Sequence, residues 1–199
     1  MDHYRIIAQH FQDAVETVTM SVDNLADGIG RGSQLLVEAL LADRKVISCG
    51  NGVDAALAQL LTCNLLDRFE VDRPALPALT LGTDNTALTA IARSGGLDDI
   101  YARQLQALGQ AGDVLLLINT SASDENLLRV AQVARERNIG VVALSHTDDE
   151  AVRSALGPGD VLIQAEASRQ ARLVELYTMV IHSLCSLIDH SLFGSYDQG

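Results

Sequence analysis

The stretch Asp113-Val114-Leu115-Leu116-Leu117-Ile118 is aliphatic at every position after its first residue. A strand with one wet face alternates apolar and polar side chains. A strand covered on both faces does not, so this run predicts a parallel sheet buried between two layers of helices. Shorter apolar runs at 45–49, 76–81, 140–145 and 160–164 have the same character. Helical text at 53–66, 84–92, 98–108 and 124–137 separates them, and a long helix over 168–190 closes the chain. Strands alternating with helices of that length imply right-handed crossovers. The expected fold is α/β, a three-layer αβα sandwich around a five-stranded parallel sheet. The first forty residues read as two added helices. Ile6, Ile7, Phe11, Val15, Val18 and Val22 keep a helical period, which Leu35, Leu36, Ala39 and Leu40 resume after Gly28–Gly32. No linker, charge block or repeat divides the sequence, so one domain over 1–199 is expected, with a helical segment at 1–43 and the core at 44–199.

Composition narrows the function. Hydrophobic residues make up 48% of the chain but aromatics only 4%, so the interior is aliphatic. The net charge of −12 argues against non-specific nucleic-acid binding, which needs basic surface; it serves solubility first, and would also suit a basic protein partner. Cys49, Cys63 and Cys185 lack metal-type spacing, and each lies in an apolar run, as buried free thiols do. With no signal-type N-terminus and no uninterrupted apolar stretch of about 18 residues, a cytoplasmic protein that avoids membranes is expected.

In parallel α/β sheets, ligands bind beyond the carboxyl ends of the strands. Two polar loops are predicted there, Gly50-Asn51-Gly52 and Asn119-Thr120-Ser121-Ala122-Ser123-Asp124. Each leads into a helix whose first N–H groups lack partners, an arrangement that favours an anion such as phosphate. The alternative is simply two well-capped helices.

The segments Cys49-Gly50-Asn51-Gly52, Asp67-Arg68-Phe69-Glu70, Arg73-Pro74-Ala75-Leu76-Pro77 and Thr83-Asp84-Asn85, with Ala107 to Leu116 and the tail Leu187 to Phe193, resemble the SIS (sugar isomerase) family. The likeness is to its phosphoheptose isomerase and DiaA subfamily. It implies an SIS-type, flavodoxin-like domain, a homotetramer and sites near subunit interfaces. Isomerases of this family use zinc held by a His and a Glu on the helix after the first strand, and by a Gln and a His on the last helix. The Glu is the base and the second His the acid. Carried over, these positions read Leu60, Asn64, Val174 and His182. Leu and Val offer no lone pair to zinc, and Asn is not a base near neutral pH. Zinc is therefore not expected, nor any other cofactor. His182 lies on a polar stripe with Glu175, Thr178, Ser186 and Asp189, and is read as structural or vestigial.

The phosphate-like pocket implied by the resemblance comprises Asn51, Asp54, Asp84, Thr120, Ser121, Ser123 and Asp124. Two of these are carboxylates at helix starts. Like charges about 4 Å apart repel by roughly 4 kcal/mol at an effective dielectric of 20, enough to expel a phosphate. Asp54 and Asp124 could equally cap their helices. The resemblance implies two functions of different class. One is a non-catalytic, DiaA-like homotetrameric platform for a DnaA-type replication initiator, with Leu192 and Phe193 as partner contacts or as a helix end folded onto the core. The other is a phosphoheptose isomerase with a rebuilt site acting on sedoheptulose 7-phosphate. A sugar-phosphate sensor would reuse Asn51, Asp84, Thr120 and Ser121.

Overall fold

The computed structural model describes residues 2–122, 124–167 and 169–194. Its sheet contains β1 (Val46–Gly50), β2 (Ala78–Thr80), β3 (Val114–Ile118), β4 (Gly140–His146) and β5 (Val161–Ala165). Every pairing is parallel and the order is β2-β1-β3-β4-β5. The chain reverses its direction of winding between β1 and β3, where the carboxyl ends of the two strands leave a crevice. β1 and β3 are buried at every position. Alternate side chains serve opposite layers: Val114, Leu116 and Ile118 join one core cluster, Leu115 and Leu117 the other. That double burial is why β3 reads as continuous apolar text.

One face carries α1 (His3–Leu41), α2 (Val53–Leu66) and α7 (Gln170–Phe193). The other carries α3 (Asn85–Gly95), a 3-10 turn at Leu97–Asp99, α4 (Ala102–Leu108), α5 (Glu125–Glu136) and α6 (Glu150–Ala155). The short α6, capped by Asp149, has no counterpart in the sequence reading.

The expected pair of N-terminal helices is one helix of 39 residues. Gly28 and Gly32 do not end it, because they lie one turn apart on its buried side. A Cβ on Gly28 would come within 3.3 Å of Ile163, and one on Gly32 within 3.2 Å of Ile163 and Val142. The glycines let α1 lie close on β4 and β5, which offsets their poor helix propensity. Before Ser21 no residue of α1 is buried, and Tyr4, Ile7, Phe11 and Val15 form an exposed apolar stripe at steps of three and four, which Val22 continues two turns on.

One further expectation changes. Cys49 and Cys185 are buried, but Cys63 is exposed on the outer side of α2. That side also shows Val53 and Leu66, so α2 is not enclosed all round. α7 has the length and mean hydropathy, 1.3, of a membrane span although acidic and basic residues interrupt it. Half of that window is buried within the fold, as in the core helix of a globular protein.

Candidate functional site

The crevice between β1 and β3 is built from backbone outward. Gly52 takes φ +58, a left-handed conformation that admits glycine readily. Gly50 is required for space, since a Cβ there would lie 2.7 Å from Asp54. The tight turn brings Asp54, in the first turn of α2, beneath the loop that follows β3. Its carboxylate is 1% exposed. It accepts the Thr120 backbone N–H at 2.9 Å and the Thr120 hydroxyl at 2.7 Å. The Thr120 hydroxyl in turn accepts from Gln170 Nε2 at 2.9 Å, so the start of α7 joins the cluster. Burial pushes the Asp54 carboxyl above its ordinary value of 3.8, and the two Thr120 hydrogen bonds oppose that shift.

A second link crosses the crevice. Asn51 Nδ2 donates to Asp124 at 2.7 Å and to Asn126 Oδ1 at 2.9 Å, while Asn126 Nδ2 returns a bond to Asn51 Oδ1 at 3.1 Å. Asn119 Nδ2 donates to Asp149 at 2.6 Å and to the Ser121 carbonyl at 2.8 Å, drawing the loop back on itself. His146 also meets that carbonyl, at 3.0 Å. Two tyrosines fix the strand ends: Tyr101 donates to the Gly50 carbonyl at 2.6 Å and Tyr177 to the Asn119 carbonyl at 3.3 Å. Burial raises both phenols well above their usual range, so both remain donors at neutral pH.

The structure therefore brings together Asn51, Asp54, Thr120 and Asp124, with Ser121 exposed beside them. It corrects the capping alternative. Asp54 caps nothing in its own helix, where Gly52 occupies the N-cap position, and Asp124 holds the N-cap position of α5 without a side-chain cap bond. Asp84 does cap: its carboxylate accepts from Thr86 and Ala87 N–H at the start of α3, so it is engaged there and not in the crevice network. Ser123 lies outside the described residues. Gln170, Asn126, Asn119 and Asp149 escaped the sequence reading as parts of one network. The available signal was a polar side chain in the first turn of a helix that follows a buried strand.

At the positions carried over from zinc-dependent isomerases, Leu60 and Val174 pack as partly buried apolar side chains against the core cluster of α1, α2 and α7. Asn64 Nδ2 is buried and meets no oxygen or nitrogen acceptor among the described residues. Beside it lies the Cys185 thiol, a weak acceptor that burial pushes up to about 12. His182 is half-buried and contacts the Phe69 ring, centroids 5.3 Å apart. Its stripe does not act as a relay: Glu175 pairs with Arg172, Thr178 bonds to its own helix, and Asp189 pairs with Arg73. Among the described residues no three His, Cys, Asp or Glu side chains gather to hold a metal ion. The residues at these four positions do not fit a tetrahedral zinc site, which needs N, S or O donors at each corner.

The tail is folded onto the core. Leu192 and Phe193 pack there as half-buried side chains, and the Phe193 ring centroid lies 6.0 Å from the Arg73 guanidinium carbon.

Comparison with known proteins agrees with this architecture. The SIS domain profile matches residues 9–146. A phosphoheptose isomerase of Halorhodospira halophila is 41% identical over 194 residues, covering 98% of each chain. The DnaA initiator-associating protein DiaA of Escherichia coli is 40% identical over 187 residues, covering 94% of this chain and 95% of its own. Among solved structures, a phosphoheptose isomerase from Francisella tularensis superposes with a TM-score of 0.90 at 30% identity, over 96% of this chain and all of that one. One from Neisseria gonorrhoeae gives 0.88 at 33%, over 94% and 98%. With five parallel strands in this order and a family match along most of its length, the chain belongs to the SIS domain family.

Proposed function

We propose that this protein is a non-catalytic SIS-domain homotetramer of the cytoplasm that serves as a binding platform for a DnaA-type initiator, in the manner of DiaA. The observation that carries this reading is that Leu60 and Val174 stand as partly buried apolar side chains against the core where lone-pair donors would be needed. Asn64 cannot replace the carboxylate base, because an amide nitrogen lone pair is delocalised and its oxygen is scarcely basic. Tetramer formation is supported by the exposed apolar stripe of α1, which needs a partner surface. In a tetramer, several weak contacts to one partner add through effective concentration. The net charge of −12 favours a basic partner surface.

An isomerase reading remains as the second, favoured by the 41% identical relative that carries that name and by the histidine at position 182. Two measurements separate them. Purified protein assayed with sedoheptulose 7-phosphate is expected to show no turnover and no stoichiometric zinc; turnover with bound zinc would reverse the assignment. Immobilised protein is expected to capture DnaA from the same organism, and Phe193→Ala to weaken capture. Failure of the unaltered tetramer to bind DnaA would remove the platform reading.

A further inference from the structure

The Asp54 carboxylate lies in the β1–β3 crevice, between the first turn of α2 and the loop after β3. It is 1% exposed, and both the N–H and the hydroxyl of Thr120 point at it. Its helix position suits a carboxylate, since the first turn of α2 presents the positive end of the helix dipole. The crevice is tied on three sides: Asp54 from α2, Thr120 from the loop after β3, and Gln170 from α7. Asn51 and Asn126 add a reciprocal amide pair at its mouth.

We propose that Asp54 is an internal ligand of the crevice, a built-in carboxylate that satisfies Thr120 and keeps oxyanions such as phosphate out. This rests on the non-catalytic reading and deepens it: the crevice is shut by the chain itself, whatever protein binds elsewhere. Two physical effects combine. An entering phosphate must displace a buried carboxylate from its two hydrogen bonds, and while that carboxylate stays charged it repels the newcomer. Asp124 contributes less, because it is exposed and already accepts from Asn51, and water screens its charge. The same contact has a structural role, since it joins α2 to the strand-end loop and, through Thr120, to α7.

The test uses inorganic phosphate as the probe, titrated calorimetrically into the full chain. The unaltered protein is expected to show no saturable binding. Asp54→Ser, which leaves the Thr120 N–H and hydroxyl uncovered, is expected to bind phosphate saturably, on the order of a thousandfold more tightly than the weakest affinity that the parent's blank titration leaves open. Asp54→Ser combined with Thr120→Val is expected to lose that gain. Far-UV circular dichroism and sedimentation establish that each variant is folded and assembled. Saturable phosphate binding by the unaltered protein overturns the proposal, and this holds even if every variant fails to fold. A folded Asp54→Ser that takes no phosphate also overturns it. Loss of the platform reading is distinct: it would appear as absent DnaA capture with the phosphate results unchanged.

Discussion

Arg73 and Asp189 meet at 2.7 Å across the C-terminal ends of α2 and α7, with the guanidinium side chain wholly buried. The same guanidinium donates to the carbonyls of Asn64, Leu65 and Pro74 at 2.6–2.9 Å, so it closes the open end of α2. Phe193 flanks the guanidinium as α7 ends. Removing one partner strands a buried charge, which typically costs about 3–5 kcal/mol. Arg73→Ala is expected to destabilise by that amount, and Phe193→Ala by less. Urea unfolding of both variants checks the order. It also bears on the capture assay, because a Phe193 variant that loosens this cluster could lose partner binding indirectly.

The buried Asp54 makes stability depend on pH. Its folded value lies above the ordinary 3.8, so the folded chain binds this proton more tightly than the unfolded chain. The corresponding stabilisation is fully present below about 3.8 and is lost as pH rises through the folded value. Relative to Asp54→Asn, the unaltered protein is expected to lose stability across that window and to run parallel to the variant above it. Denaturant titrations at several pH values measure the difference.

The glycines of α1 separate packing from propensity. A Cβ on Gly30 meets nothing within 4 Å, so Gly30→Ala is expected to stabilise by about 1 kcal/mol. Gly32 faces Ile163 and Val142 at 3.2 Å, and Gly32→Leu is expected to destabilise by about 1–3 kcal/mol through overpacking. Thermal unfolding of the two variants should move in opposite directions.

The apolar stripe of α1 is expected to carry subunit contacts. Phe11→Asp combined with Val15→Asp should lower the sedimenting mass toward the 21.3 kDa of one chain, while far-UV circular dichroism stays close to the parent. An unchanged mass would place the assembly contacts elsewhere.

Thiol reactivity follows burial. Cys63 is exposed, whereas burial pushes Cys49 and Cys185 up to about 12, leaving almost no thiolate at neutral pH. A thiol reagent is expected to titrate Cys63 in the folded protein and all three cysteines after unfolding.

The sheet was legible because burial on both faces leaves a one-dimensional trace. β3 reads as continuous aliphatic text, and α5 and β4 fall within two residues of their expected bounds. The Gly28–Gly32 stretch of α1 is ambiguous in sequence because glycine in a helix means either a terminus or a close approach. Only the presence of β5 against Gly28 and Gly32 tells which. Asp54 and Thr120 both read as crevice residues in the sequence, but their mutual bond leaves no trace there, since a carboxylate in the first turn of a helix caps locally far more often than it reaches across. Asp84 carries the same residue type at a similar place and does cap.

The sequence by itself determined the α/β architecture, the two polar loops at strand ends and the absence of zinc-ligand side chains at Leu60 and Val174. The first two follow from local pattern; the third joins residue chemistry to the resemblance to SIS isomerases, which marks those positions. Tertiary structure alone decided how those loops are used. Asp54 and Thr120 are separated by 66 residues, and Arg73 and Asp189 by 116. Whether a buried polar group finds a partner depends on sub-ångström placement that no periodicity encodes. The crevice was expected as an anion site or as two capped helices. In the folded chain its own Asp54 carboxylate lies within hydrogen-bonding reach of the loop.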